Sequence, residues 1–200
     1  MKALLLENNI FVYGDEIIAK GSELGESIWM VDNNARNNAL TGCGPISQLQ
    51  ILDNELKYTK DKKVIFVLSD VFREKFTFFD LTEEYLTPFC RTQESLKLLS
   101  RELWVKHAKH VPFIAEYFKY VVDVPVEYET KQLDLILSKL LTISSVCGKL
   151  LILNRGHNLN LHNKIVPNNT TIINTNKASE NAKNNFDEKL LKTIKKWIKT

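Results

Sequence analysis

The sequence predicts an α/β domain, a three-layer sandwich built on a short, mainly parallel sheet. Two apolar runs and the pattern between them carry that expectation. Lys63-Val64-Ile65-Phe66-Val67-Leu68 is continuously apolar and rich in β-branched residues, and Lys149-Leu150-Leu151-Ile152-Leu153 repeats its character. Unbroken rather than alternating hydrophobicity marks strands covered on both faces, as in a parallel sheet held between helices. Longer amphipathic stretches separate the short runs, which is the alternation of a layered α/β chain.

The elements follow in order. Ala3–Leu6 and Ile10–Tyr13 read as two strands, or as one strand broken at Glu7-Asn8-Asn9, and Ile28–Val31 is a further short apolar run. Pro45–Lys57 reads as a helix, with a proline suited to its first turn and Ile46, Leu49 and Leu52 on nearby faces. Val64–Leu68 is the first central strand and ends at Ser69-Asp70. Thr92–His110 reads as a helix with Thr92 as N-cap and Leu96, Leu99 and Leu103 at helical spacing. For Val111–Val126 two readings stay open, a strand over His110–Ala115 or a helix continuing past Pro112. Glu129–Ser145 carries the stripe Leu133, Ile136, Leu137, Leu140 and Leu141, and Leu150–Leu153 is the second central strand. Thr170–Ile173 is a last short strand. Phe186–Lys199 sets Leu190, Leu191, Ile194 and Trp197 against lysines on the other side. One domain over residues 1–185 is expected, with a C-terminal helix over 186–200 docked on it.

Composition narrows the class. The 200 residues are 44% hydrophobic and 26% charged, with seven glycines and five prolines, which excludes wholesale disorder, collagen-like repeats and a low-complexity linker. A formal net charge of +3 is too small to imply nucleic acid, and none is expected as a partner. Cys43, Cys90 and Cys147 are odd in number and widely spaced, which fits reduced thiols in a cytoplasmic protein rather than a disulfide framework or a metal site. Met1–Leu6 starts like a signal peptide, but Glu7-Asn8-Asn9 cuts the apolar run short of the ~7–15 residues required. No run reaches the ~18 apolar residues of a membrane span.

Ligands of open α/β sheets bind outside the carboxyl ends of the strands. Three polar clusters follow apolar runs there: Gly14-Asp15-Glu16, Ser69-Asp70 and Asn154-Arg155-Gly156-His157. Gly42-Cys43-Gly44-Pro45 adds a thiol at an expected helix N-terminus, where the dipole lowers a thiol pKa and backbone N–H groups can bind an oxyanion. The candidate catalytic residues are therefore Asp15, Cys43, Asp70 and His157. Gly14, Gly42, Gly44, Asn154 and Arg155 are the candidate substrate-binding residues, and no cofactor or metal is implied.

Tyr13-Gly14-Asp15-Glu16-Ile17 after an apolar strand resembles the Gly-Asp-Ser block that opens SGNH hydrolases, and Val64–Asp70 resembles the strand before their third block. Ser69-Asp70-Val71-Phe72-Arg73-Glu74 through Glu84-Tyr85-Leu86-Thr87 resembles a stretch of uncharacterised bacterial proteins of related fold, encoded beside polysaccharide genes. The resemblance covers about half the chain. It implies an esterase or acyltransferase acting on bacterial surface polysaccharide, with a carbohydrate or small acyl substrate. Two departures stand against it. Glu16 occupies the position of the family's nucleophilic Ser and cannot form an acyl-ester intermediate, and no Asp-x-x-His lies near the C-terminus. The alternative is a catalytically inactive α/β domain that binds a protein partner or glycan.

A third expectation comes from Asp123–Lys131. Read as an alternating, strand-like run, it places Glu129-Thr130-Lys131 like the second half of a PD-(D/E)xK nuclease signature, with Asp70 or Asp80 as a further Mg²⁺ ligand. His107 and His110 share a helix spacing, but flanking Lys106 and Lys109 fit a solvated basic helix end better than a metal site. Were the C-terminal helix undocked, its stripe would fit a protein partner or a membrane surface.

Overall fold

A computed structural model describes residues 10–14, 35–39, 44–68, 71, 74–77, 83–86, 125–154, 157–162, 164–174 and 188–200. Five strands form one wholly parallel sheet: β1 (Ile10–Gly14), β2 (Ala35–Asn37), β3 (Lys63–Leu68), β6 (Lys149–Asn154) and β7 (Thr170–Asn174). Their spatial order is β2-β1-β3-β6-β7. Numbered along the chain within this sheet, that is the doubly wound order 2-1-3-4-5, whose winding reverses between the first and third strands. The two continuous apolar runs are therefore adjacent, with β3 at the centre. A separate antiparallel pair, β4 (Glu74–Thr77) and β5 (Glu83–Leu86), lies in the connection between β3 and β6.

Alternation along each strand explains why those runs are apolar throughout. Tyr13, Phe66, Ile152 and Ile172 stand in register across β1, β3, β6 and β7, on the face covered by α1 (Pro45–Asn54) and α3 (Pro125–Ser144). Leu49 and Leu52 of α1 and Leu133, Ile136, Leu137 and Leu140 of α3 complete that core. The intervening residues Val12, Ile65, Val67, Leu151 and Leu153 face the other way, against Ile194 and Trp197 of α4 (Glu188–Lys199). Helices thus cover both faces, so Val64–Leu68 and Leu150–Leu153 of the central strands need apolar side chains at every position. Lys63 Nζ donates to the Ile198 carbonyl, placing a cation at the negative end of the α4 dipole. Among the described residues, no helix is long and apolar enough to cross a membrane.

Several expectations need correction. Asp123–Lys131 is not strand-like from residue 125 onward: α3 begins at Pro125, four residues before the expected Glu129 start. Glu129 and Lys131 therefore sit on a helix, and Lys131 bonds back to Glu127 at 2.6 Å, an ordinary i,i+4 pair. The strand on which the nuclease signature depends is absent there. The helix expected over Pro45–Lys57 breaks at Glu55 and resumes as α2 (Leu56–Thr59). Expectations for Ala3–Leu6, Ile28–Val31, Thr92–His110 and most of Val111–Val126 lie outside the described residues.

The break at Glu55 coincides with a polar network. Tyr13 donates its hydroxyl to Glu55 Oε2 at 2.8 Å, and Asn38 Nδ2 donates to the same oxygen at 2.6 Å. Arg36 Nε donates to Asn38 Oδ1 at 2.8 Å, and its Nη2 stands 3.7 Å from Glu55 Oε1. The network ties the edge strand β2 to β1 and to the helical connection. Burial, with the Glu55 carboxylate beside it, holds the Tyr13 phenol neutral well above its ordinary range. Burial likewise pushes the Cys147 thiol up to about 11.

Both groups stay protonated in the fold at pH values where the unfolded chain ionises, near 8.5 for a thiol and about 10 for a phenol. Their contributions are intact below those values and fall as pH rises beyond them. A Tyr13→Phe, Cys147→Ala double variant is expected to lose stability less steeply than the parent above pH 9. At pH 7 it should be roughly 1–2 kcal/mol weaker for the lost hydrogen bond. Urea midpoints measured from pH 7 to 11 check this, and parallel alkaline slopes would refute it.

Candidate functional site

Helix α3 runs back along β6, and the turn after Ser144 leads straight into Lys149. Glu129 lies fifteen residues before Ser144, roughly 22 Å of helix, while six strand residues span about 20 Å. Glu129 therefore comes level with the carboxyl end of β6, where the chain leaves the sheet at Asn154. There the His157 imidazole meets it: Nδ1 lies 3.0 Å from Glu129 Oε1, with the His side chain 5% exposed and the Glu side chain 31% exposed.

A carboxylate oxygen can only accept, so Nδ1 must carry the proton in this contact. In the neutral ring, that leaves Nε2 as the basic atom. This is the orientation in which a carboxylate holds a histidine as a general base.

The backbone around His157 is fixed by Asn154, the last residue of β6. Its side-chain Oδ1 accepts the His157 N–H at 3.2 Å, and its Nδ2 donates to the His157 carbonyl at 2.8 Å. Nδ2 also donates to Asn174 Oδ1 at 2.8 Å, across the paired ends of β6 and β7. Farther along the same connection, Lys164 Nζ reaches Asp134 Oδ1 and Ser138 Oγ of α3, both at 2.8 Å. The loop is thus pinned to α3 at His157 and again at Lys164. Between these two pins lies a cleft of about 800 Å³. Glu129, Thr130 and Leu133 line it from the helix, and Asn158–His162 line it from the loop.

No protein-family model matches the chain, and no curated protein is similar to it in sequence.

The sequence-derived candidates divide as follows. His157 and Asn154 come together at the end of β6. Gly14 closes β1 opposite Val67 of β3, at the point where the winding of the sheet reverses. Gly44 is the buried N-cap of α1, without a side-chain cap, ahead of Pro45. Asp15, Gly42, Cys43, Asp70 and Arg155 lie outside the described residues. Among the described residues, no group of three or more His, Cys, Asp or Glu could hold a metal ion. Glu129 as the partner of His157, and Asn174 behind Asn154, were not anticipated. The helical rise from Ser144 back to Glu129 was the available signal for the first.

Proposed function

We propose that this chain is an esterase or acyltransferase in which His157, oriented by Glu129, is the general base. The observation that carries the reading is the 3.0 Å contact between His157 Nδ1 and Glu129 Oε1 at the carboxyl end of a central parallel strand. Nε2 takes the proton of the attacking hydroxyl or thiol as the new bond to the acyl carbon forms. It then returns that proton to the leaving alcohol as the ester C–O bond breaks. Glu129 stabilises the imidazolium in between. Cys43, between two glycines, is the nucleophile consistent with the sequence, since Glu16 stands where the resembled family has serine. Leu133, Leu159 and Leu161 offer the cleft an apolar lining for an acyl chain, and Thr130, Asn158 and Asn160 offer hydrogen bonds. Acylated bacterial surface polysaccharide is the substrate class implied by the SGNH-like resemblance.

A second reading has its own support. The imidazole is nearly enclosed, and Glu129 rather than His157 lines the cleft. In that reading the pair fastens the loop to α3, and the cleft binds a partner or glycan without transforming it.

Hydrolysis of p-nitrophenyl acetate by the purified protein separates the two. His157→Gln and Glu129→Gln are each expected to lower kcat/KM by roughly 10²–10⁴ with the circular dichroism spectrum retained. Variants as active as the parent would remove His157 from the chemistry. A parent without turnover would favour the binding domain.

A further inference from the structure

We infer that Asn154 is a positioning residue for His157 rather than a substrate-binding residue, an inference that builds on the reading of His157 as the base. The Asn154 side chain is buried, with the residue 1% exposed, and it satisfies both backbone polar groups of His157 at once. Such a clamp fixes the direction in which the chain leaves the strand, and with it the direction of the Cα–Cβ bond of His157. The imidazole has two torsions of its own, and the Glu129 contact settles those. Asn174 holds the Asn154 amide from the neighbouring strand, so its orientation is not left to rotation about the terminal torsion. Two parallel strand ends therefore aim one imidazole. An aspartate at 154 would keep the acceptor for the His157 N–H but would set an oxygen against the His157 carbonyl and Asn174 Oδ1, two acceptors. The residue type is therefore specific to the task.

The test reads the imidazole itself. Long-range ¹H–¹⁵N spectra of the parent protein should show His157 as the Nδ1–H tautomer. Asn154→Ala should mix the tautomers and lower kcat by about tenfold to a hundredfold, with KM little changed, as expected when a reacting group is misplaced by about an ångström. Asn169→Ala is the control. Its Nδ2 bonds the Ser144 and Cys147 carbonyls at the opposite end of β6, so it should cost stability and leave the His157 spectrum unchanged. Should Asn154→Ala not fold, Asn174→Ala removes only the outer acceptor and should shift the imidazole signals in the same direction by less. A folded Asn154→Ala or Asn174→Ala variant with the parent's His157 spectrum overturns the inference. A parent that hydrolyses no ester, while Asn154→Ala still changes the tautomer, leaves the positioning role standing and removes the catalytic reading alone.

Discussion

Gly148→Ala is expected to destabilise the protein by roughly 2–4 kcal/mol, read as a lower urea midpoint at unchanged slope. Gly148 sits between α3 and β6, where the chain reverses against the turn before β3. Its N–H donates to the Lys62 carbonyl at 2.8 Å, and the adjacent Cys147 pairs with Lys60 in an isolated antiparallel bridge. A Cβ at 148 would lie 2.6 Å from the Asp61 carbonyl oxygen and 2.8 Å from its carbon. Both are backbone atoms, so no rotamer change can clear them. The turn has little freedom to retreat, because Asp61 already holds a φ of 58°, which an L-residue adopts at a cost. Relief must come from separating the amino ends of β3 and β6, next to the fully buried Val64 and Leu150. A loss below about 1 kcal/mol would show that the turn can move independently of the sheet.

The central strands were legible because burial on both faces removes every polar residue from Val64–Leu68 and Leu150–Leu153, leaving a signal free of phase. The start of α3 was not, although Pro125 is the same first-turn signal that located α1 at Pro45. The apolar residues Val124 and Val126 around that proline imitate a strand, and the first turn of a helix is too short for its period to show. β4 and β5 were missed for a different reason. Glu83-Glu84-Tyr85-Leu86 is half acidic, and its pairing with Glu74–Thr77 is specified by the partner strand rather than by local propensity. At the site, His157 was visible as a polar residue after a strong strand. Glu129 was visible only as half of a supposed nuclease motif. Their pairing spans 28 positions, and it follows from two lengths, helix and strand, once both elements are known to run side by side.

Removal of residues 188–200 is expected to leave a chain that does not fold to a soluble monomer, and Trp197→Ala alone should cost about 3–5 kcal/mol. The hydrophobic stripe of α4 is already occupied. Ile194 is fully buried, and Trp197 nearly so, against Ile10, Val12, Ile65, Val67, Leu151 and Leu153. These sheet residues come from the central strands, so exposing them uncovers the middle of the sheet rather than its rim. A contiguous apolar surface of that kind on a parallel sheet drives association. Four lysines of α4 point the other way: Lys192, Lys195, Lys196 and Lys199 are exposed, which lets one helix close the core and still meet water. The membrane-surface and partner-helix alternatives need the apolar stripe to be available, and docking consumes it. Size-exclusion chromatography and thermal unfolding of the truncated chain and of Trp197→Ala measure both effects. A truncated chain that stays monomeric, with the parent's melting temperature, would mean that the sheet does not depend on α4 and that its stripe is available to a partner.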